Sequence, residues 1–524
     1  MAQQKSERRV VPQGRRKPVS TQGAEHPGGG KALPVNERTW QLGLRFETAE
    51  EPKAQATGAG GGAVGVLSSP ATRAAPKSKR KEKRATTATM EEVCERLAFA
   101  FQNVASNRGA PGPDRQSIEQ VREHLSELVP VLHDALLRGT YEPGNIRRVW
   151  IPKAGGGQRG LGIPNVVDRV VQEAVRQVLE PLYEPTFHEA SHGFRPGRSC
   201  QTAIAAAYEH VGEGYEWVVD IDLEKFFDKV NHQRLMARLA QRVLDRRLLV
   251  LIGRMLEAKV VMPDGVLVST VEGVPQGGPL SPLLSNIVLD ELDSELGRRG
   301  HRFVRYADDC NIYVRSERAG QRVMASVTDF IERRLRLKVN VQKSAVARPE
   351  ERHFLGFRLR REPLDGSVEV LLSKRSKERI DAKVHELAPR NWGNSLDACI
   401  RRINGYLLGW VGFFGICTAG VEHVLGALDA HIRRRLRAIQ VKHWKSRRTI
   451  ASRLTQLGVS QKLAWRTTYG GRKSVWAASH TTAIHRGLRN AYFAERGLVS
   501  LAVEWKRLGK SIGAPGTQLR LALG

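Results

Sequence analysis

Two adjacent acids lie between two strand-like apolar runs in Phe303-Val-Arg-Tyr306-Ala-Asp308-Asp309-Cys-Asn-Ile-Tyr-Val314. This pattern predicts a β-hairpin with the carboxylates at its tip, where a turn relaxes the alternation that would point neighbouring side chains to opposite faces. An earlier segment, Trp217-Val-Val-Asp220-Ile-Asp222-Leu-Glu-Lys-Phe-Phe227-Asp228, also runs an apolar strand into acids. Carboxylates from two strand ends can hold two Mg2+ ions about 4 Å apart, which together activate a hydroxyl and stabilise a leaving pyrophosphate. Mg2+ takes oxygen ligands and leaves room for phosphate oxygens, which suits a carboxylate set. An Asp-Asp pair alone is an ordinary turn feature, so its surroundings must decide.

The chain's charge points to a polyanionic partner. Its 524 residues carry 84 Lys plus Arg against 54 Asp plus Glu, a formal net of +30. Such a field attracts nucleic acid, although a nonspecifically basic protein would share it. The length allows two to four domains. Five cysteines, at 94, 200, 310, 399 and 417, form no close pair; in a chain this long a reducing compartment fits better than a disulfide framework. No cysteine follows 417, so a cysteine-based zinc module near the C-terminus is not expected. The N-terminal residues show no signal peptide, and no stretch of about 20 apolar residues offers a membrane span. A cytoplasmic location, with nucleoid or ribonucleoprotein association, is the expectation.

Residues 1–85 read as a disordered basic tail, rich in Gly, Pro, Ala and charge and ending in Lys77-Ser-Lys-Arg-Lys-Glu-Lys-Arg84. Met90, Val93, Leu97 and Phe101 recur at helical spacing, Asn107–Asp114 reads as a tight turn, and a second helix is expected over 116–137 with Ile118, Val121, Leu125, Leu128 and Val131 or Leu132 inside. Strands are expected at Trp217–Asp222, Phe303–Tyr306, Cys310–Val314 and Val368–Leu372. Helices are expected at Asp168–Glu180, His232–Leu239 and Ala319–Arg334. Strands and helices mixed with hairpins imply an α+β core. Beyond 375 the pattern turns helical. Between His431 and Ile450 stand eight Lys or Arg and no acid, above a stripe of Ile432, Leu436, Ile439 and Trp444. Self-repelling charge of this density predicts a nucleic-acid surface, with a solvated helix face as the plainer alternative.

Tyr306-Ala-Asp-Asp309 resembles the signature box of retroelement reverse transcriptases, and the segments around it resemble the bacterial group II intron reverse transcriptase/maturase family in the family's order, over about 95–520. The resemblance implies a right-hand polymerase, with fingers and palm over 86–375, a helical thumb/maturase domain over 376–450, and a maturase-associated or DNA-contacting region over 451–524. Asn107–Asp114, with Arg108, resembles a template-contacting extension. Ile151-Pro-Lys153 through Gln158-Arg159-Gly-Leu-Gly-Ile-Pro164, with Asp168-Arg169, resembles the fingers motif, in which Lys153 and Arg159 would reach the incoming triphosphate. Ser191-His-Gly-Phe-Arg195-Pro-Gly-Arg198-Ser199 would touch template backbone through Arg195 and Arg198.

By the same register Asp222 is the first metal carboxylate, because Phe227 lies five residues on, where an aromatic gate excludes a ribose 2′-hydroxyl. Asp220 has Lys225 at that offset and is expected to be a hydrogen-bonded strand position. Gly273-Val-Pro-Gln276-Gly277 would line the nucleotide site, with glycine letting backbone approach a ligand. Lys343, in Leu337-Lys-Val-Asn340-Val-Gln-Lys343-Ser344, would assist pyrophosphate departure. Phe354-Leu-Gly-Phe357 matches a primer-grip segment. Asn404-Gly-Tyr406 through Phe414, and the basic helix with Arg433, Arg434, Arg437, Lys442 and Lys445, resemble the thumb and maturase surface.

The implied protein is an RNA-directed DNA polymerase using two Mg2+ ions, with Asp222, Asp308 and Asp309 as ligands. Its partners would be group II intron RNA, target and primer DNA, and deoxynucleoside triphosphates. It would assist splicing and copy the intron by target-primed synthesis. Fuller family members carry a Cys/His-rich endonuclease, whose pattern is missing here, so self-contained second-strand cleavage is not expected. The alternatives are a host-adopted polymerase in repair or defence, and a noncatalytic RNA-folding chaperone. The latter predicts damage to the carboxylates, and none is visible.

Overall fold

The acid-bearing hairpin forms the edge of a four-stranded antiparallel sheet. Its order is Arg302–Tyr306, Asp309–Val314, Trp217–Ile221, Ala345–Ala347. In this computed structural model residues 88–511 are described, apart from 154–155, 419 and 471–473, so the expected tail at 1–85 lies outside them. All described residues fall within one unit, Leu67–Gly524.

Alternation along these strands feeds two separate cores. Val219, Ile221, Phe303, Cys310, Ile312 and Val314 join one, while Val218, Val304 and Tyr313 join the other. A sheet covered on both faces needs apolar residues at successive positions, which explains the unbroken runs in the sequence. Helices Ser281–Arg298 and Glu317–Phe330 pack on the first face. Helix Cys200–Gly212 packs on the second, backed by the strand pair Phe357–Arg361 and Val368–Leu372. A second four-stranded sheet runs Gln158–Ile163, Ile146–Pro152, Val260–Val261, Leu267–Val268. From Lys374 onward every described element is a helix, and the apolar sides of these helices extend the second core.

Three expected helices are each divided into two. Met90, Val93, Leu97 and Phe101 are all buried, but Arg96 divides Met90–Glu95 from Leu97–Ser106. The second helix divides at His124, after a capping box between Ser117 and Gln120 starts its first part. There Leu132 is buried and Val131 is 66% exposed, which resolves the choice between them. The basic stretch divides into Val421–His443 and Arg447–Gln456, because the Ser446 side chain accepts from the Thr449 N–H and opens a new helix. Ile432, Leu436 and Ile439 are buried as expected. Among the described residues no helix is long and apolar enough to cross a membrane, and all five cysteines are free and buried.

One buried cation ties the hairpin to its surroundings. Arg305 is fully buried, and its guanidinium donates to both oxygens of Asp293 at 2.7 and 2.5 Å, to Asn286 Oδ1 at 3.1 Å, to Ser191 Oγ at 2.7 Å and to the Ala307 carbonyl at 2.8 Å. Burial alone would push this guanidinium down; the charge and hydrogen bonds of Asp293 hold it above its ordinary value. Removing one partner of such a pair strands the other charge and typically costs about 3–5 kcal/mol. Asp293→Ala is therefore expected to lower unfolding stability by about that amount in urea titration. A loss no larger than that of an exposed ion pair, about 1 kcal/mol or less, would refute this assignment.

Candidate active site

Tyr306 pairs with Asp309 across the hairpin, so Ala307 and Asp308 form its two-residue turn. Ala307 adopts a left-handed φ of 57°, a cost that its surroundings must offset. Arg305 grips the Ala307 carbonyl from within, and Gly193 closes over the turn from outside. A Cβ on Gly193 would lie 2.2 Å from the Ala307 nitrogen, so only glycine fits there. The Gly193 carbonyl is held by Asn286 Nδ2 at 2.8 Å, and Asn286 also meets Arg305. The Ser191–Ser199 segment thus shapes the acid turn directly.

Asp222 follows the adjacent strand Trp217–Ile221. Its N–H donates to Ser344 Oγ at 3.0 Å, and its carbonyl accepts from the Asn340 N–H at 2.8 Å. This lacing brings Lys343 Nζ to 3.5 Å from Asp222 Oδ1. Asp220 instead takes the Arg352 guanidinium, at 2.8 Å from Nε and 2.6 Å from Nη2, as its strand position predicts.

The acids repel one another. Asp309, open to solvent yet surrounded by protein, is pushed up to about 7, first by that burial and then by the charges of Asp308, Asp220 and Asp222. Burial also raises Asp308, with Asp222 adding to the rise; Arg159 opposes both shifts. Oxygen-only donors carrying excess negative charge fit a hard divalent cation such as Mg2+.

The segment around Gln276 joins the other expected parts. The Val274 N–H donates to the Phe227 carbonyl at 2.6 Å, and a Cβ on Gly273 would lie 2.9 Å from that carbonyl. Farther on, the Gln276 carbonyl accepts from the Gly162 N–H at 2.8 Å. Gly277, at φ 136°, has room for no side chain because a Cβ would meet the Gly162 carbonyl at 2.4 Å. The same strap therefore fixes Phe227 and the strand bearing Arg159. Lys153 stands exposed at the end of that strand's hairpin. Phe227 is half-buried, its ring 5.3 Å edge-on from buried Phe226.

The basic residues divide into two groups. Arg108, Lys442 and Lys445 are exposed, and Arg198 and Arg433 are half-buried. Arg434 lies over the Trp476 ring at 4.0 Å. Arg195 and Arg437 correct the sequence expectation. Arg195 is buried and donates to Glu184 and to the His188 and Ser191 carbonyls, while buried Arg437 donates to the Leu488 carbonyl at 2.9 Å. Both guanidinium groups serve internal partners rather than an outside phosphate.

Other cations went unremarked in the sequence. A cleft of about 500 Å3 opens beside the break after His443, lined by Trp444, Lys445, Arg453, Tyr492 and Arg496 among others. Nearby in the chain, Trp465 and Tyr469 stack in parallel at 5.2 Å, and both are exposed. The available signal was the charge run itself, which extends without Asp or Glu from Ala430 to Ala494 and holds 15 Lys or Arg.

Comparisons with known proteins fit this layout. The family model for reverse transcriptase (RNA-dependent DNA polymerase) matches residues 151–359, and the group II intron maturase-specific domain matches 377–456. The group II intron-encoded protein LtrA of Lactococcus lactis is 29% identical over 53% of this chain and 60% of its own length. The chain belongs to the group II intron-encoded reverse transcriptase/maturase family. Among other relatives, protein YkfC of Escherichia coli is 32% identical over 60% of this chain and 91% of its own. The putative COX1/OXI3 intron 2 protein of Saccharomyces cerevisiae is 28% identical over 50% of this chain and 37% of its own. The reverse transcriptase domain makes the protein a nucleotidyltransferase.

The close approach at Gly193 has a measurable consequence. Displacing catalytic groups by about 1 Å can cost about 100-fold in rate. Gly193→Ala is expected to slow DNA synthesis by about that factor while far-UV circular dichroism stays unchanged. Near-wild-type synthesis would show that the turn tolerates the methyl group.

Proposed function

We propose that this protein is an intron-encoded polymerase that binds group II intron RNA, assists its splicing and copies it into DNA from a primer in the target. The observation that carries the reading is the meeting of Asp222, Asp308 and Asp309 at one end of the central sheet, with Arg159 as their opposing charge. In this reading the sheet is a palm, residues 86–375 comprise fingers and palm, 376–450 the thumb and maturase domain, and 451–524 an associated nucleic-acid surface.

Asp222, Asp308 and Asp309 would hold two Mg2+ ions, which when bound lower the pKa of the primer 3′-hydroxyl and neutralise charge on the leaving pyrophosphate. The chain's own groups do the rest. Arg159 and Lys153 orient the triphosphate. The strap Gly273–Gly277 holds Phe227 in place, so that its ring occupies the space a ribose 2′-hydroxyl needs. Lys343, beside Asp222, would supply a proton to departing pyrophosphate. Exposed Lys442 and Lys445 and the cleft with Arg453 and Arg496 supply phosphate contacts for RNA, and Trp465 and Tyr469 supply a stacking face. The reading places the protein's action in the cytoplasm, at nucleoid or ribonucleoprotein.

Primer extension on an RNA template tests the reading. It should require Mg2+ and disappear in Asp308→Ala, while binding of the intron RNA and help with splicing persist. Undiminished synthesis by that variant would overturn the site, and loss of RNA binding from the folded variant would overturn the separation of roles. Phe227→Ala should raise ribonucleotide incorporation by about 10-fold or more, since the gate acts by volume. An unchanged ribonucleotide-to-deoxynucleotide ratio would remove the gate.

A further inference from the structure

A second cluster of ligand-type side chains lies far along the chain from the aspartates. Asp381 and His385 are four residues apart on helix Lys374–Leu387 and so share one face. His431, on helix Val421–His443, faces them from the neighbouring element. His385 Nε2 lies 3.1 Å from His431 Nε2, and Asp381 Oδ1 lies 3.6 Å from that same nitrogen. One ligand atom from each residue falls within 4.8 Å of the other two; among the described residues no other group of three His, Cys, Asp or Glu is recorded at that spacing.

We propose that Asp381, His385 and His431 form a binding site for a zinc-class transition-metal ion, with water or a ligand in the fourth position. Bonds of about 2.0–2.1 Å at tetrahedral angles place ligand atoms ~3.3 Å apart, between the two distances found here. A hydrogen bond between the imidazoles would satisfy that pair alone. It would leave Asp381 outside hydrogen-bond range of His431 Nε2, whereas one cation between the three serves them all. Two imidazoles and one carboxylate select zinc, cobalt, nickel or copper over Mg2+, so the site is chemically distinct from the aspartates.

The frame around the ligands is built. Arg435 is buried and donates to the Ala388 carbonyl at 2.7 and 3.0 Å and to the His385 carbonyl at 3.3 Å, which draws the two helices together beside the site. The His431 ring meets Trp476 at 6.2 Å, edge-on, and Trp476 is itself covered by Arg434. The nearest cations are thus directed to carbonyls and an aromatic face. Asp381 and His431 are half-buried and His385 is exposed, so an ion can enter and the fourth position meets solvent. An ion here would staple the first and third helices of the C-terminal half.

Cobalt titration of the full-length protein tests this, because tetrahedral Co2+ with imidazole ligands absorbs strongly in the visible and oxygen-ligated octahedral Co2+ at the aspartates absorbs weakly. The expected result is one equivalent with a tetrahedral spectrum, displaced by Zn2+ but not by Mg2+. It should survive Asp308→Ala and weaken at least about 10-fold in His431→Ala, His385→Ala and Asp381→Asn. Saturating Zn2+ should raise the melting temperature of the wild type by about 2–4 °C and that of the variants by less. Absence of a stoichiometric tetrahedral band, or a band unchanged in the three variants, would overturn the site. Circular dichroism identifies any variant that misfolds; the more exposed positions His385 and Asp381 then carry the test.

Discussion

A single buried guanidinium organises the acid-bearing end of this molecule. Arg305 lies in the strand that delivers the acids, and its bonds reach Asp293 and Asn286 on a covering helix, Ser191 in a neighbouring loop, and the carbonyl of Ala307 in the turn itself. These bonds add to the apolar packing of the helix on the sheet and to the backbone bonds between Arg305 and Ala190 and His192. A buried ion pair is weak evidence for stability as such, since desolvation offsets much of the Coulomb attraction. Its value here is directional: five hydrogen bonds in a fixed planar fork leave one position for the turn, including the left-handed residue that brings Asp308 to its tip.

The electrostatics run in opposite senses at the two ends of the chain. At the sheet, the surrounding protein first and the neighbouring carboxylates second push Asp309 up to about 7, and Arg159 is the cation that opposes the rise in both members of the pair. In the helical half, 15 cations stand in a stretch without any acid. One surface is arranged to gather positive charge and the other to gather negative charge. Such opposed fields are what the proposed reading requires, cations drawn to the acids and a polyanion drawn to the helices.

The hairpin and the basic helices were legible in the sequence because each rests on local pattern. Acids flanked by apolar runs, and a run of Lys and Arg, both survive without knowledge of the fold. The hairpin came through one residue out of register: Asp308 lies in the turn, while Asp309 begins the second strand opposite Tyr306. Arg305 did not, because an arginine inside a strand looks like any exposed strand cation until its acid partner arrives from a helix. Arg195 and Arg437 failed for the same reason in reverse: they were read as surface charge, while their carbonyl partners lie in other segments. The helix breaks at Arg96, His124 and Trp444–Ser446 were missed because apolar spacing of period 3.6 continues across a break of one to three residues. The cluster of Asp381, His385 and His431 was invisible as well, since 46 residues separate the two histidines.

The two-faced sheet has a consequence for how such a protein can be inherited. Val218, Val304 and Tyr313 lean on a core that continues through the helices beyond Lys374 to Leu501. A descendant that no longer handled RNA would still need those helices, because losing them would uncover the back of the sheet whose ends hold the aspartates. The two halves are therefore bound together as one hereditary unit by apolar contact, whatever becomes of either activity. Replacing basic residues on the outer side of the helices leaves this core intact, whereas replacing residues on the inner side uncovers the back of the sheet.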